Sequence, residues 1–206
     1  MIKKNIYLFY GIALLQGMVF YAPIATLYRQ GLGIFEITLI ESISLVVSLA
    51  LEIPWGFVAD KIGYRKTILL CNLLYFLSKI VFWQANGFGM FLLERLMLSV
   101  VTSGLSGCDS AFLYLSAGKA DAMRVFGIYS AMGSAGLLAA SAIFSLFLHG
   151  DASLSALLTV FSYGFSLVLT IFSTEVENHV ENSGNFRKQA FDLLRALKNR
   201  KRFLLF

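Results

Sequence analysis

The fold of this chain is decided by a short charged stretch at residues 56–66, GFVADKIGYRK. It carries one acid, three bases and two glycines between two long apolar runs. Each run is long enough to cross a bilayer, since a spanning helix needs about 20 predominantly apolar residues. We therefore expect residues 56–66 to form a tight loop at one face of a membrane, joining two spans.

The rest of the chain has the composition of an integral membrane protein. Apolar residues make up 58% of its 206 residues and charged residues only 14%, with a mean hydropathy of +0.74, whereas an ordinary soluble domain is about 25% charged. Apolar segments lie at about 5–27, 34–58, 67–86, 89–115, 122–148 and 153–173. Runs of about 20 apolar residues without alternation exclude a transmembrane β-barrel. The pattern predicts an all-α membrane protein with six transmembrane helices.

The basic residues indicate the orientation in the membrane. Apart from Arg29, and from Lys79 and Arg95 within the spans, they flank the spans on a single side: Lys3, Lys4, Lys61, Arg65, Lys66, Lys119, Arg124, Arg187, Lys188, Arg195, Lys198, Arg200, Lys201 and Arg202. Cytoplasmic loops carry an excess of Lys and Arg. We therefore expect both termini and the loop at 56–66 to be cytoplasmic. Because the position of the bases is explained by the orientation of the spans in the membrane, the net charge of +5 does not indicate nucleic-acid binding.

The composition changes after the sixth span. Residues 174–185 are polar and acidic, as in a linker. Phe186, Ala190, Leu193, Leu194 and Leu197 then recur at helical spacing among charged residues, which predicts a short amphipathic helix. A further apolar run begins at 202–206. We therefore divide the chain into a bundle at 1–173 and a cytoplasmic linker at 174–206 that leads towards a seventh span.

Four ionisable residues fall in one layer of the predicted bundle. Counted at about 1.5 Å per residue, Glu41, Lys79, Glu94 and Arg95 lie on the order of 10 Å below the outer surface. Charges at this depth are costly and usually functional. In one interpretation Arg95 and Glu41 border the substrate or proton path. In the other the four form a structural network, with Lys79 extending outward to the interface; the neighbours Glu94 and Arg95 are not expected to share a helix face.

Three further polar residues lie within the spans. Asp109, in the inner half of the fourth, is either a proton or cation site or is hydrogen-bonded to a neighbouring helix, with nearby serines as donors. Gln16, in the middle of the first, is a candidate substrate contact. Glu52 lies one turn before the charged loop, and we expect it to pair with the bases of that loop.

No cofactor or metal site is indicated. Cys71 and Cys108 lie inside apolar segments without metal-ligand or disulfide spacing, and the phosphate-binding pattern GxxxxGK[ST] is absent from the sequence. Any transport work would therefore be driven by an ion gradient or by the gradient of the substrate itself.

The stretch at 56–66 resembles the loop signature of the major facilitator superfamily of transporters. Its glycine, acid and base positions are filled by Gly56, Asp60, Lys61, Gly63, Arg65 and Lys66, with Tyr64 where an arginine is frequent. The resemblance covers essentially the whole chain. It implies six helices in a 3+3 inverted repeat, as one half of a twelve-helix fold whose halves rock about a midplane site. It also implies that the loop latches the cytoplasmic side of the transporter.

The resemblance extends to the fourth span. Arg95 is similar to the membrane-embedded arginine that drug exporters use in proton coupling, although Ser99 replaces a usual glycine and Gly133-Ser134 lacks the proline of the antiporter signature. The implied function is efflux of small amphipathic molecules across the cell membrane, coupled to an ion gradient, most simply of protons. The implied partners are a small-molecule substrate, the lipid bilayer and a second six-helix half. The chain would then be an N-terminal half or fragment that does not transport alone.

Two other classes of protein are compatible with six spans. A channel or a non-transporting scaffold has the same composition. The run Gly104-Leu105-Ser106-Gly107 is similar to the serine motif of rhomboid intramembrane proteases, but nucleophilic catalysis needs a base beside the serine. Because both histidines, His149 and His179, lie outside the predicted spans, we expect no enzyme activity.

Overall fold

The computed structural model describes residues 2–25, 29, 31–118, 121–148 and 150–176. Its α-helices are α1 (Ile2–Gly17), α2 (Ile34–Ile62), α3 (Tyr64–Trp83), α4 (Phe88–Ala117), α5 (Ala122–Ile143) and α6 (Ala152–Ile171). A 3₁₀ turn at Ala22–Ile24 follows α1, and a π-helical turn at Phe144–Leu148 extends α5. Within this described part, six helical segments are long and apolar enough to cross a membrane. The predicted all-α, six-span fold is confirmed.

The first span is not one continuous helix, as the prediction of 5–27 assumed. Helix α1 ends at Gly17, and the chain continues through irregular backbone to the 3₁₀ turn. Three groups of α6 bond to this break: Thr159 Oγ1 accepts from Phe20 N at 3.0 Å, Ser162 Oγ donates to Leu15 O at 2.6 Å, and Tyr163 Oη donates to Gln16 O at 2.8 Å. Irregular backbone at membrane depth is tolerated where the protein supplies such partners.

The charged stretch at 56–66, expected to form a tight loop, is mostly helical. Helix α2 continues to Ile62 and α3 begins at Tyr64, so Gly63 alone separates them. Its φ of +92° lies in a region that favours glycine. The signature is built mostly from the last turns of α2 and the first turn of α3. The stretches long and apolar enough to cross a membrane are Ile34–Gly56 and Tyr64–Trp83, within a few residues of the predicted 34–58 and 67–86.

The helices pack in a pattern that repeats between the two halves of the bundle. Helix α2 packs along α4, and α5 packs along α1; α3 contacts α4, and α6 contacts α1. If α1, α2 and α3 are exchanged with α4, α5 and α6, the contact of α2 with α4 becomes that of α5 with α1. The contact of α3 with α4 likewise becomes that of α6 with α1. This is the packing expected of a 3+3 repeat.

The two equivalent helix pairs are held by different chemistry. Between α1 and α5, Gly17 faces the carbonyl of Gly133, and Gly136 faces the carbonyl of Leu14, at distances that leave no room for a Cβ atom. Between α2 and α4, Ser99 Oγ lies 2.8 Å from Ser44 O. Small residues and interhelical hydroxyl bonds are the usual means of packing in a membrane, where apolar burial alone does not favour helix association over contact with lipid.

The bundle has two ends, named here for one residue at each. The Gly63 end also carries the start of α1 and the exit of α6, and its core includes Phe9 stacked on Phe112 with ring centroids 4.7 Å apart. The Arg29 end lies opposite, where Tyr21 stacks on Phe82 at 4.1 Å. Large apolar side chains of α2 such as Leu45, Val46, Leu49 and Ile53 are exposed. Such exposure suits a surface covered by lipid or by another bundle.

Candidate functional site

At the Gly63 end, Arg65 joins the signature to α6. Its Nε donates to Ser173 O at 2.6 Å and one terminal nitrogen donates to Ile171 O at 2.9 Å, while its backbone N–H donates to Glu175 Oε1 at 3.2 Å. A guanidinium at a helix C-terminus satisfies carbonyls that lack intrahelical partners and favours the helix dipole. Arg65 is therefore a cap on α6 as well as a base of the signature.

A second set of hydrogen bonds at this end connects α1 to the segment that follows α6. Asn5 is buried; its Nδ2 donates to Thr174 O at 2.9 Å and its Oδ1 accepts from Thr174 N at 3.0 Å. Apart from residues 174–176, the linker and amphipathic helix predicted at 174–206 lie outside the described residues.

The remaining signature residues whose side chains the structure describes are open to the surroundings. Lys61 and Lys66 are exposed, and no atom lies within 4 Å of a Cβ added at Gly56. The side chain of Asp60 is outside the described part of the structure. Glu52 is exposed and makes no ion pair within 4.0 Å with any described residue, so the expected pairing with the signature bases is not seen.

A cavity of about 430 Å³ lies beside the break in the first span. It is lined by Ala13, Gln16, Gly17, Val19, Tyr75, Tyr129, Ser130, Gly133, Ser134, Leu137 and Tyr163. These residues come from α1, α3, α5 and α6 and the segment after α1. Mostly apolar and aromatic walls with a few polar groups are typical of small-molecule sites, and this volume is within their range.

Gln16 is one of the polar groups in this cavity. Its Nε2 donates to Asn72 Oδ1 at 2.9 Å, and Asn72 Nδ2 in turn donates to Thr170 Oγ1 at 2.8 Å. The network crosses from α1 through α3 to α6 and fixes the orientation of the Gln16 amide. The candidate substrate contact of the sequence analysis is thus placed at a cavity wall.

Asp109 lies behind a different wall of the cavity. Its Oδ2 accepts a hydrogen bond from Tyr129 Oη at 3.1 Å, and Tyr129 lines the cavity. The sequence interpretation expected serine donors. The structure instead supplies a tyrosine from α5, the neighbouring helix, which connects the carboxylate of α4 to the cavity.

Three of the four residues in the predicted charge layer meet at the Arg29 end. Glu41 Oε1 lies 2.8 Å from a terminal nitrogen of Arg95 and 2.9 Å from one of Arg29, so a single carboxylate oxygen joins the two guanidiniums. Glu94 Oε2 is 3.8 Å from Arg95 and 3.9 Å from Arg29. Glu94 and Arg95 therefore share one cluster despite their adjacency, since the long arginine side chain turns back to its neighbour.

Lys79 does not extend outward to the interface, as the structural interpretation expected. It is 4% exposed, and its Nζ donates to Tyr21 Oη at 3.1 Å. The same ammonium lies 5.1 Å from the ring centroids of Tyr75 and Tyr163. Cation–π attraction partly compensates a buried ammonium for its lost hydration.

Several of these contacts could not be found from the sequence. Arg29 lies in a predicted gap between spans, yet it is 5% exposed and central to the charge cluster. The tyrosines around Lys79 come from three separate segments of the chain. In the sequence, Tyr21, Tyr75 and Tyr163 are visible only as tyrosines within apolar runs, which does not indicate that they meet.

The described residues give no support to an intramembrane serine protease or to a metal site. Ser106 is exposed, and its Oγ donates to Ser103 O at 3.1 Å; both histidines lie outside the described part of the chain. No group of three or more His, Cys, Asp or Glu able to hold a metal occurs among the described residues.

In the described part of the chain, six helices long and apolar enough to span a membrane pack in a 3+3 arrangement, and Arg65 caps α6 beside the Gly63 turn, which defines an integral membrane protein with the half-bundle of a carrier. A comparison with protein families matches residues 6–206 to the Major Facilitator Superfamily. The chain belongs to that family, which implies that it is a membrane transporter. A search of curated proteins found no match.

Proposed function

We propose that this chain forms the N-terminal half of a secondary active transporter that exports small amphipathic molecules and is coupled to an ion gradient, most simply of protons. The observation that carries the proposal is the Asp109–Tyr129 hydrogen bond behind the wall of the cavity. A carboxylate one hydroxyl away from a substrate cavity is suitably placed to exchange a proton in response to binding. Export, rather than import, rests on the similarity of Arg95 to the arginine of drug exporters.

A second six-helix bundle would complete the carrier. The polar residues Thr102, Ser106 and Ser110 on α4, and Ser130 and Ser134 on α5, are exposed at membrane depth. Such faces favour a partner bundle or a water-filled path over lipid. The family works by rocking two halves around a site between them, and the cavity beside Gln16 would lie at that junction.

The signature at the Gly63 end would act as the cytoplasmic latch. In this proposal Gly63 permits the turn, Arg65 holds the exit of α6, and the exposed Lys61 and Lys66 remain available to a partner bundle. Asp60 and Gly56 complete the latch by family resemblance. At the opposite end, Glu41 and Arg95 would border the substrate path, because their side chains are 43% and 30% exposed while Glu94 is buried.

The proposed location is the cell membrane with both termini in the cytoplasm, on the basis of the distribution of bases. The Gly63 end would then face the cytoplasm and the Arg29 end the exterior.

Proton coupling is tested with Asp109→Asn. We expect substrate-driven proton movement to be lost, because the amide keeps the size of the side chain but no longer binds and releases a proton. The measurement is the pH change produced by substrate in membrane vesicles that contain the chain together with its second six-helix half, against vesicles lacking the chain. Asp121→Asn, an exposed acid at the start of α5, is the matched control.

Proton movement of wild-type size in the Asp109→Asn variant would exclude Asp109 as the coupling group. Current that rises with voltage and does not saturate with substrate would instead indicate a channel. Absence of any flux or binding in these vesicles would favour a non-transporting scaffold.

A further inference from the structure

We infer that the cavity beside Gln16 selects an amphipathic ligand whose polar group donates hydrogen bonds, as a hydroxyl group does, over one whose polar group only accepts them. This inference rests on the proposed transport function and adds the chemical class of the substrate. Its basis is the direction of the hydrogen bonds that hold the polar groups of the cavity wall.

The amide of Gln16 is oriented by a chain of three hydrogen bonds. Thr170 Oγ1 lies 2.9 Å from Ser166 O, and a carbonyl oxygen can only accept, so the single hydroxyl proton of Thr170 points towards it. Thr170 Oγ1 therefore accepts from Asn72 Nδ2 at 2.8 Å. Asn72 then presents Oδ1 to Gln16, which donates to it through Nε2 at 2.9 Å. The carbonyl of Ser166 thus sets the direction of the whole chain.

This direction leaves Gln16 with more acceptor than donor capacity for a ligand. A glutamine amide has two N–H groups and two lone pairs on its oxygen. One N–H is bound to Asn72, whereas no described group donates to Gln16 Oε1. Since Gln16 lines the cavity, it can offer a ligand one N–H and both lone pairs.

Two tyrosines of the cavity wall have also committed their protons. Tyr163 Oη donates to Gln16 O at 2.8 Å, and Tyr129 Oη donates to the Asp109 carboxylate at 3.1 Å. A carbonyl and a carboxylate are acceptors, so each tyrosine oxygen can only accept a hydrogen bond from a ligand. Three oxygens of the wall, on Gln16, Tyr129 and Tyr163, are therefore fixed as acceptors.

The remaining groups around the cavity do not reverse this excess of acceptors. The hydroxyls of Tyr75, Ser130 and Ser134 can rotate to donate or to accept, so they impose no direction. Lys79 and Asp109 lie behind different walls and carry opposite charges, so they favour neither sign of ligand charge. A ligand that only accepts would leave acceptor oxygens facing each other, and unpaired acceptors are costly.

The test compares two uncharged ligands with the same heavy-atom skeleton: 1-(1-naphthyl)ethanol, which donates and accepts, and 1-acetonaphthone, which only accepts. Their affinities for the purified chain are measured by isothermal titration calorimetry in a nonionic detergent, with protein-free micelles as the blank. All residues that line the cavity belong to this chain, so the measurement does not require a second six-helix half. We expect the alcohol to bind at least about fivefold more tightly, the lower end of the cost of an unpaired acceptor.

Thr170→Val tests the direction of the chain of hydrogen bonds. Valine keeps the shape of threonine without its hydroxyl, so the amide of Asn72 is no longer held with Nδ2 towards α6 and can turn around. Gln16 can then accept from Asn72 and offer both of its N–H groups to a ligand. We expect the preference for the alcohol to fall below about twofold, although Thr170 itself does not line the cavity.

Gln16→Met removes the amide and should lower the affinity for the alcohol about fivefold, while changing that for the ketone by less than about twofold. Gln84→Met, at an exposed position after α3, is the matched control and should change neither. The melting temperature of each variant checks the fold.

Ketone binding as tight as that of the alcohol in the wild-type chain, or an unchanged preference in Thr170→Val or in Gln16→Met, would overturn the inference and leave the cavity as a transport site. No binding of either ligand would overturn the inference and also remove the cavity from the proposed function.

Discussion

Single glycines determine how closely α1 and α5 approach each other. A Cβ atom at Gly17 would overlap the carbonyl of Gly133, and one at Gly136 would overlap the carbonyl of Leu14. The opposing groups are backbone, so they cannot move aside as a flexible side chain would. Gly17 and Gly133 also line the cavity, so the approach of α1 to α5 and the shape of the cavity depend on the same atoms.

Gly136→Ala is therefore expected to destabilise the bundle by about 1–3 kcal/mol, the usual cost of forcing extra atoms into a packed site. Gly127→Ala on the same helix is the control, because nothing lies within 4 Å of a Cβ there. That change should be neutral or stabilising by up to about 1 kcal/mol through helix propensity. Thermal unfolding of both variants in detergent, followed by circular dichroism, makes the comparison; equal stability of the two would contradict the packing described.

At the scale of whole elements, α6 shows how a helix that is apolar in composition can act through its polar atoms. A buried stripe runs along it at helical spacing: Ser155, Thr159, Ser162, Ser166, Thr170 and Ser173. Thr159 and Ser162 bond to the broken end of α1, and Thr170 bonds to Asn72 of α3. The stripe thus allows the first span to unwind beside the cavity without leaving its backbone groups unpaired.

The exit of α6 depends on its cap by Arg65. Arg65→Gln should expose the carbonyls of Ile171 and Ser173 and increase hydrogen exchange over residues 171–176 severalfold, corresponding to a loss of about 1 kcal/mol. Lys66→Gln removes the neighbouring base, which is exposed, and should leave exchange in that segment unchanged. Mass-spectrometric hydrogen exchange of the purified variants measures both. Equal exchange in the two variants would show that Arg65 does not cap α6.

At the scale of the whole molecule, the six helices place the charged turn at Gly63 and the charge cluster of Arg29, Glu41, Glu94 and Arg95 at opposite ends of the bundle. Gly63 and Arg65 lie at one end, with the start of α1 and the exit of α6. Arg29 and the cluster around Glu41 lie at the other. A membrane transporter needs its two ends to face different compartments, so function depends on the orientation of the bundle.

Orientation is testable with single cysteines, because the native Cys71 and Cys108 are buried. Lys66→Cys places a thiol beside the charged turn, and Asn86→Cys places one in the connection between α3 and α4; both positions are exposed. A membrane-impermeant maleimide should label Asn86→Cys in intact cells and Lys66→Cys only after permeabilisation. The reverse pattern would contradict the cytoplasmic assignment of the Gly63 end.

Much of the fold could be predicted from the sequence, because membrane spans are local. Six apolar runs of sufficient length were enough to predict six helices, and the prediction is confirmed. The structure differs from the expectation in where individual helices end. Helix α2 continues through Ile62 because its charged residues remain compatible with a helix until Gly63 breaks it, and α1 stops at Gly17 because α6 supplies alternative partners for its backbone.

The same distinction between local features and tertiary contacts applies to the candidate site. By itself the sequence determined the membrane class and the number of spans, since these follow from composition and from the length of the apolar runs, whereas the 3+3 repeat was implied by the family resemblance. Only the tertiary structure decided which groups meet: Arg29 with Glu41, Asp109 with Tyr129, and Lys79 with its tyrosines. Contact across helices depends on how each helix is rotated and where it crosses its neighbours, which the spacing along one chain does not specify.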